Sequence, residues 1–226
     1  MITNASIEHK KIDELTEQEM AFIHLSTSYG NVPVKKYLLR STLSYLHQNI
    51  NHCLHYDYSK QIIPYIGLCS MLEQLGTSYD IKGIPPPKYD NNLKRALVLF
   101  GGITEGDTLI GAIYAFRNGL LHNASLTSYD RKNNIHYHFK YDYGIQSIYQ
   151  KSSKEWDGNY ETFDESIDEY TSLINVELFK NFVYNCVNKA AELNQQGQLI
   201  VRLGGGVRQL FFDYILGIEK VESRKA

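Results

Sequence analysis

Apolar side chains recur every three or four positions through most of this chain, which is the spacing of a helix that buries one face. A loop interrupts the pattern at residues 85–87, because three successive prolines cannot continue a helix. The spacing predicts helices over six segments: 11–24, 34–55, 62–75, 91–100, 111–126 and 175–193.

The spacing changes to two over Ile135–Tyr141, where apolar and polar side chains alternate as they do in a half-buried strand. Residues 155–169 then contain seven acidic residues and no basic ones, which predicts a solvated loop. Residues 198–203 are a second candidate strand. We therefore predict a single, mainly α-helical domain over residues 1–226, a helical bundle with a small β insertion at about residues 130–170, before the last long helix.

The composition excludes several classes of protein. A formal net charge of −2 at pH 7 does not suit a protein that coats nucleic acid through excess positive charge, although it allows a local basic site. Cys53, Cys69 and Cys186 lack the spacing of zinc ligands and predict reduced thiols in a cytoplasmic protein. No segment has the character of a secretory signal or approaches the ~20 apolar residues that span a bilayer, so we expect no membrane partner.

The segment 111–126 combines an apolar helical pattern with two residues that carry chemistry, Arg117 and His122. Arginine is a permanent cation, and histidine is a residue type that titrates near neutral pH. Asn118 follows the arginine directly and adds a neutral hydrogen-bonding group. Because RNA carries its own nucleophile, the 2′-hydroxyl, these side chains are the minimum for cleaving its phosphodiester bond without a metal.

Spacing alone does not single out this pair, because Arg40 and His47 fall at a similar separation. Arg117, however, has an apolar helix before it, an asparagine directly after it and a Leu-Leu pair before the histidine. This motif, Arg-Asn-Gly-Leu-Leu-His, resembles that of the HEPN superfamily (higher eukaryotes and prokaryotes nucleotide-binding domain). Members of that family carry an arginine, a polar residue and, a few positions later, a histidine within a helical bundle. The direct resemblance covers about a dozen residues.

The resemblance implies a metal-independent endoribonuclease that acts on RNA as a homodimer, often as a toxin or an antiviral effector. It implies no cofactor and no metal, and a cognate antitoxin or regulatory domain as a further partner. His122 would move a proton of the 2′-hydroxyl or of the leaving oxygen, Arg117 would bind the phosphate, and Asn118 would orient the histidine or hydrogen-bond the phosphate. The products would be a 2′,3′-cyclic phosphate and a 5′-hydroxyl.

Helix geometry limits how two residues five positions apart share one substrate. At about 100° per residue, Arg117 and His122 diverge by about 140° around a straight helix and lie only ~7.5 Å apart along its axis. Either Gly119 lets the helix bend or bulge, or two chains related by two-fold symmetry share the site. The resemblance favours the shared site, in which each chain contributes both residues to a common cleft.

Other interpretations stay open. Arg117 and His122 can have purely structural roles, with the arginine at the helix surface and the histidine at the helix end. A domain with the same motif can also bind RNA or a protein without cutting. Glu73, a carboxylate in an apolar helical segment, either pairs with Arg117 or lies at its helix surface. His136 and His138 face the same way on the predicted strand, but no carboxylate or cysteine cluster completes a metal site.

Overall fold

The computed structural model describes residues 1–27, 30–162 and 166–219, of which 49% are helical and 17% lie in strands. The α-helices of these residues are Asn4–Ile7 (α1), Glu17–Leu25 (α2), Thr42–Leu54 (α3), Ile62–Ser78 (α4), Asn92–Leu99 (α5), Thr108–Asn123 (α6), Val176–Gln195 (α7) and Gly206–Tyr214 (α8). The strands are Val32–Val34 (β1), Tyr37–Ser41 (β2), Tyr79–Ile81 (β3), Thr127–Asp130 (β4), Ile135–Tyr141 (β5), Tyr149–Gln150 (β6), Thr171–Ile174 (β7), Leu199–Val201 (β8) and Ile215–Glu219 (β9).

The prediction of a mainly α-helical bundle is wrong, because the strands of the described residues form three sheets and the chain is mixed α/β. A four-stranded sheet of order β4-β5-β7-β6 lies between α6 and α7 in the chain, and its β5–β7 pair is parallel. Two antiparallel sheets, β1-β2-β9 and β3-β8, join segments that are far apart in sequence. Pairings over such distances leave no local period in the sequence, which is why helical spacing dominated the prediction.

The largest local error is the helix predicted over 34–55. That helix begins only at Thr42, after Ser41, whose Oγ accepts the backbone N–H of Ser44. The preceding residues form strand β2, which turns back on β1 through Lys35, a residue with φ of +40°. Leu39 of the strand and Leu43 of the helix are both buried, so their spacing suits a helix as well as a strand that runs into one.

The remaining predicted helices are present, with differences at their ends. The segments 62–75, 91–100 and 175–193 correspond to α4, α5 and α7, and Asn91 and Asn175 cap the latter two. The segment 11–24 is α-helical only from Glu17, after a short 3₁₀ turn. The strand predicted over Ile135–Tyr141 is confirmed as β5, and 198–203 contains β8. None of the helices in the described ranges is long and apolar enough to cross a lipid bilayer.

Helix α6 lies between α4 and the four-stranded sheet. The ring of Phe116 on α6 packs against Tyr65 of α4, with centroids 4.6 Å apart, and against Phe139 of β5, with centroids 4.5 Å apart. Phe179 of α7 stacks on Tyr65 at 4.9 Å and joins the last long helix to the same core. These four rings are almost wholly buried, so they hold α6 firmly between its neighbours.

The acidic segment 155–169 follows the four-stranded sheet over one face rather than forming a simple loop. It contains 3₁₀ turns at Tyr160–Thr162 and Ile167–Tyr170, and a β-bridge joins Trp156 to His136. Residues 163–165 of the predicted loop lie outside the described part of the chain.

Candidate active site

Local sequence signals explain where α6 begins and ends. The carboxylate of Asp107 accepts the backbone N–H of Leu109 and caps the first turn. At the other end Ala124 takes a left-handed conformation, with φ of +49°, and its N–H donates to the carbonyl of Leu120. The helix therefore places Arg117, Asn118 and His122 in its last two turns.

Gly119 allows close packing against the chain that follows the helix. A Cβ at this position would come within 2.8 Å of the carbonyl oxygens of Ser125 and Thr127, where the chain folds back against the helix on its way to β4. The hydrogen bonding of α6 stays α-helical from Thr108 to Asn123, all of whose residues the structure describes, and no bulge occurs there. The first explanation offered for the spacing of Arg117 and His122 is thus removed.

Arg117 lies against α4, and two neighbours hold its guanidinium. One Nη donates to Glu73 Oε1 at 2.7 Å, and the other donates to Asn118 Oδ1 at 3.0 Å. The arginine and glutamate side chains are 19% and 28% exposed, so the ion pair is largely withdrawn from water. Of the two interpretations left open for Glu73, the structure shows the pair. The buried Nε of Arg117 has no hydrogen-bond partner among the described residues, so the guanidinium is oriented but not saturated.

Cys69, a nucleophilic residue type, lies one turn before Glu73 on α4. Its side chain is buried, and burial raises the pKa of its thiol well above the ordinary range, with the charge of Glu73 adding to the rise. The thiolate is the reactive form of cysteine, and a buried thiol that stays protonated does not supply it. Cys69 is therefore not a candidate nucleophile beside Arg117.

His122 is exposed near the end of α6 and makes no hydrogen bond or ion pair with the residues that the structure describes. Because the helix is continuous, the side chains of Arg117 and His122 leave its axis about 140° apart. Asn118 lies four positions before His122 and shares its face of the helix. The structure thus brings Arg117, Asn118 and Glu73 together and leaves His122 apart from Arg117, with Asn118 between them.

Packing accounts for the other arginine and histidine with a similar separation. The guanidinium of Arg40 lies 3.8 Å from the ring centroid of Tyr45 and donates to Gln48. The ring of His47 packs on Tyr184, with centroids 4.5 Å apart, and burial lowers the pKa of its imidazole. Both side chains have partners that explain their positions without a substrate.

A small cavity that was not predicted from the sequence lies on the face of the four-stranded sheet opposite α6. It has a volume of about 250 Å³, and we call it the aromatic pocket; its wall includes Thr127, His138, Trp156, Tyr160, Ile167 and Tyr170. The available signal was the concentration of aromatic residues, including the single tryptophan of the chain, within a segment interpreted only as acidic and solvated. Within the described residues no three His, Cys, Asp or Glu side chains are grouped to hold a metal ion, at His136 and His138 or elsewhere.

No protein-family model, curated protein sequence or solved structure matches this chain. The resemblance to the HEPN superfamily consequently rests on the motif in α6, and a functional conclusion has to rest on the geometry around it.

Proposed function

We propose that this protein is a metal-independent endoribonuclease whose catalytic site is shared between the two chains of a homodimer. The observation that carries the proposal is the contrast within α6: Glu73 and Asn118 orient Arg117, whereas His122 is exposed and has no partner in the described chain. The activity would suit a toxin or an antiviral effector in the cytoplasm, where the three free cysteines would stay reduced.

Arg117 would hold the phosphate. A guanidinium has five N–H donors, and Glu73 and Asn118 account for two of them through the contacts described above. Because Nε is buried, the donors that remain for phosphate oxygens are the other N–H groups of the two Nη atoms. These oxygens gain negative charge as the bond rearranges. The carboxylate of Glu73 restricts the side chain to one orientation, so that less conformational entropy is lost when the phosphate binds.

His122 would transfer the protons. The 2′-oxygen of the RNA attacks the adjacent phosphorus while the neutral imidazole of one chain accepts the 2′-hydroxyl proton. The bond between phosphorus and the 5′-oxygen breaks, and the same imidazole, now protonated, gives the proton to that oxygen. A 2′,3′-cyclic phosphate and a 5′-hydroxyl result, and DNA is not cleaved because it lacks the nucleophile.

The proposal needs two chains because α6 is α-helical without a break from Thr108 to Asn123. Arg117 and His122 of one α6 point about 140° apart, so a single copy does not present both to one phosphate. Two copies of the end of α6 related by a two-fold axis would place the arginine of one chain opposite the histidine of the other. Asn118 shares the face of His122 and donates or accepts within the same cleft.

The test is RNA cleavage by purified protein in EDTA, with Arg117→Ala and His122→Ala beside the wild type. Arg131→Ala and His9→Ala are matched controls, since both residues are exposed and lie outside α6. We expect cleavage in EDTA with cyclic-phosphate ends, its loss in both α6 variants and its retention in both controls. Cleavage that persists in His122→Ala would contradict the proposal.

A second candidate is a module that binds RNA without cutting it, and one groove favours it. The groove has a volume of about 890 Å³, and four basic side chains and one acidic side chain line it. Its wall also contains Tyr37, Phe211 and Phe212, the last 82% exposed, so it offers both stacking surfaces and positive charge. RNA binding that Arg208→Ala and Phe212→Ala weaken, with no cleavage by the wild type, would favour this module.

A further inference from the structure

The walls of the aromatic pocket leave ring faces available to a ligand. Trp156 meets Tyr160 edge to face, with centroids 5.4 Å apart and planes at 78°, and meets His138 at 6.3 Å and 63°. The side chain of Tyr160 is 75% exposed, so the pocket opens to solvent beside it. An edge-to-face contact covers at most one face of one of the two rings, so other ring faces stay available for a planar guest to stack on.

The hydrogen bonds behind the pocket define which nitrogen of His138 is an acceptor. Its Nδ1 lies 2.9 Å from Thr171 Oγ1, and that hydroxyl donates its one proton to the carbonyl of Ile167 at 2.8 Å. Nδ1 must therefore be the donor to Thr171, which leaves a lone pair on Nε2. Burial lowers the pKa of His138, which favours this neutral form. Nε2 has no hydrogen-bond partner among the described residues and is the atom left for the pocket.

The described part of the pocket wall carries no fixed charge. Among the described residues, no aspartate, glutamate, lysine or arginine side chain belongs to it. Nearby carboxylates are paired outside it: Asp168 with Lys140 at 3.6 Å, and Glu169 with Lys154 at 2.6 Å. A cationic guest would find no carboxylate in the wall and a phosphate would find no cation, so the lining suits a neutral ring. The volume of about 250 Å³ lies below the ~300 Å³ at which pockets for drug-sized ligands begin, which suits one small ring system.

We propose that the aromatic pocket binds a nucleobase, which stacks on the tryptophan and tyrosine rings and donates an N–H to Nε2 of His138. Every common base carries such an N–H, and base stacking on aromatic side chains is a general mode of single-strand recognition. Thr127 belongs to the pocket wall, and its carbonyl packs against Gly119 near the end of α6. Resting on the proposed function, the pocket would hold a base of the RNA strand that reaches His122.

The fluorescence of Trp156 reports binding without a label, because the chain contains no other tryptophan. We would titrate the full chain with each ribonucleoside, each nucleoside monophosphate and a short single-stranded RNA. Quenching should saturate, and Tyr160→Ala should weaken binding by about 5- to 150-fold, the range measured for loss of one stacking partner. Tyr160→Phe should bind as the wild type does, and Tyr58→Ala, fully exposed elsewhere, is the matched control.

The hydrogen bond has a separate test on the ligand side. Methylation of uridine at N3 removes its only base N–H and leaves the ring otherwise intact. We expect N3-methyluridine to bind about 2- to 10-fold more weakly than uridine, the effect of one neutral hydrogen bond. Equal binding of the two nucleosides would overturn the role assigned to His138.

The outcomes separate this proposal from the ribonuclease proposal. If no nucleoside, nucleotide or RNA changes Trp156 fluorescence at millimolar concentration, the pocket proposal is wrong whether or not RNA is cleaved. If nucleosides bind and Arg117 and His122 prove inactive toward RNA, the pocket stands and the ribonuclease fails. If monophosphates bind and RNA does not, the ligand is a free nucleotide. If both proposals hold, Tyr160→Ala raises KM for RNA and leaves kcat unchanged.

Discussion

Glu73 and Gln74 are consecutive residues of α4, and each belongs to a separate polar cluster. The two clusters differ in how many of their polar groups are buried and hydrogen-bonded. Gln74 Oε1 accepts a hydrogen bond from Thr42 and lies 3.4 Å from Nε2 of His24. The hydroxyl of Tyr79 lies 2.7 Å from the other ring nitrogen of His24. This histidine is fully buried, and burial lowers its pKa to about 4. Both nitrogens are used, and no substrate can reach them.

The cluster around Glu73 is open. Its carboxylate orients Arg117, whose buried Nε has no partner in the described chain. Asn118 accepts a hydrogen bond from Arg117 and lies on the same face of α6 as the exposed His122. A polar group that is buried and saturated stabilises the fold, because its loss leaves partners unsatisfied. A polar side chain that is exposed and has no partner in the described chain, as His122 is, is available to a substrate. The difference gives His24 a structural role and, under the proposed function, gives His122 the chemical one.

The largest expected effect is on catalysis by His122→Ala. Loss of a general acid or base lowers the rate of cleavage by about 10²- to 10⁴-fold, whereas the exposed side chain contributes little to the fold. Single-turnover cleavage in EDTA and thermal unfolding monitored by circular dichroism measure the two quantities on one sample. A large fall in the thermal midpoint would mean that His122 belongs with the structural cluster.

His24→Ala should show the reverse pattern. Removing a buried ring and both of its hydrogen bonds should lower the free energy of unfolding by about 3 kcal/mol. Urea denaturation measures it, and His9→Ala, with a side chain that is 88% exposed, should stay within about 0.5 kcal/mol of the wild type. The folded fraction of His24→Ala should cleave RNA at the wild-type rate. Loss of cleavage in that folded fraction would end the separation of the two clusters.

The closed cluster should also make stability depend on pH. In the unfolded chain His24 takes up a proton near its ordinary pKa of 6.5, but in the folded protein only near 4. The unfolded chain therefore holds more protons between these values, and stability falls as pH falls through this window, by about 3 kcal/mol. Urea unfolding at several pH values should show that this component disappears in His24→Gln. An unchanged pH dependence in the variant would contradict the closed environment of His24.

Glu73→Gln should have the smallest effect and should act through Arg117. The amide keeps the shape and loses the charge, so we expect cleavage to fall about tenfold because the guanidinium is less well oriented. The pair is partly exposed, so stability should change by less than about 1 kcal/mol. Wild-type kcat and KM in this variant would show that the orientation of Arg117 does not depend on Glu73.

Local signals in the sequence predicted the helix that carries the site. The apolar period predicted a helix over 111–126, close to the observed Thr108–Asn123. The hydrogen bond from Arg117 to Asn118 was not predicted, because Asn118 was assigned to the histidine or the phosphate. The partner of Arg117 was only one of two options for Glu73, because complementary charge does not reveal which faces of two helices meet. The packing of α6 against α4 determines that Glu73 faces Arg117.

The sheets and the aromatic pocket depend on contacts between distant segments. Arg40 pairs with Leu216 in the β2–β9 ladder, and His136 forms a bridge with Trp156 beside the pocket. Neither pairing changes the local spacing of apolar residues in the sequence. In β2 the spacing of apolar residues was compatible with a helix, and only the partner strand determines the extended conformation.

The most direct measurement of the shared site is RNA cleavage by a mixture of Arg117→Ala and His122→Ala chains. We would co-express the two variants with different tags and isolate the mixed dimer through both tags. Its cleavage of RNA would then be measured in EDTA. Each variant alone should be inactive, but a mixed dimer keeps one intact arginine and one intact histidine, on opposite chains. If each cleavage site combines an arginine and a histidine from different chains, we expect the mixed dimer to cleave at about half the wild-type rate. A mixed dimer as inactive as the separate variants, beside an active wild type, would contradict a site shared between chains.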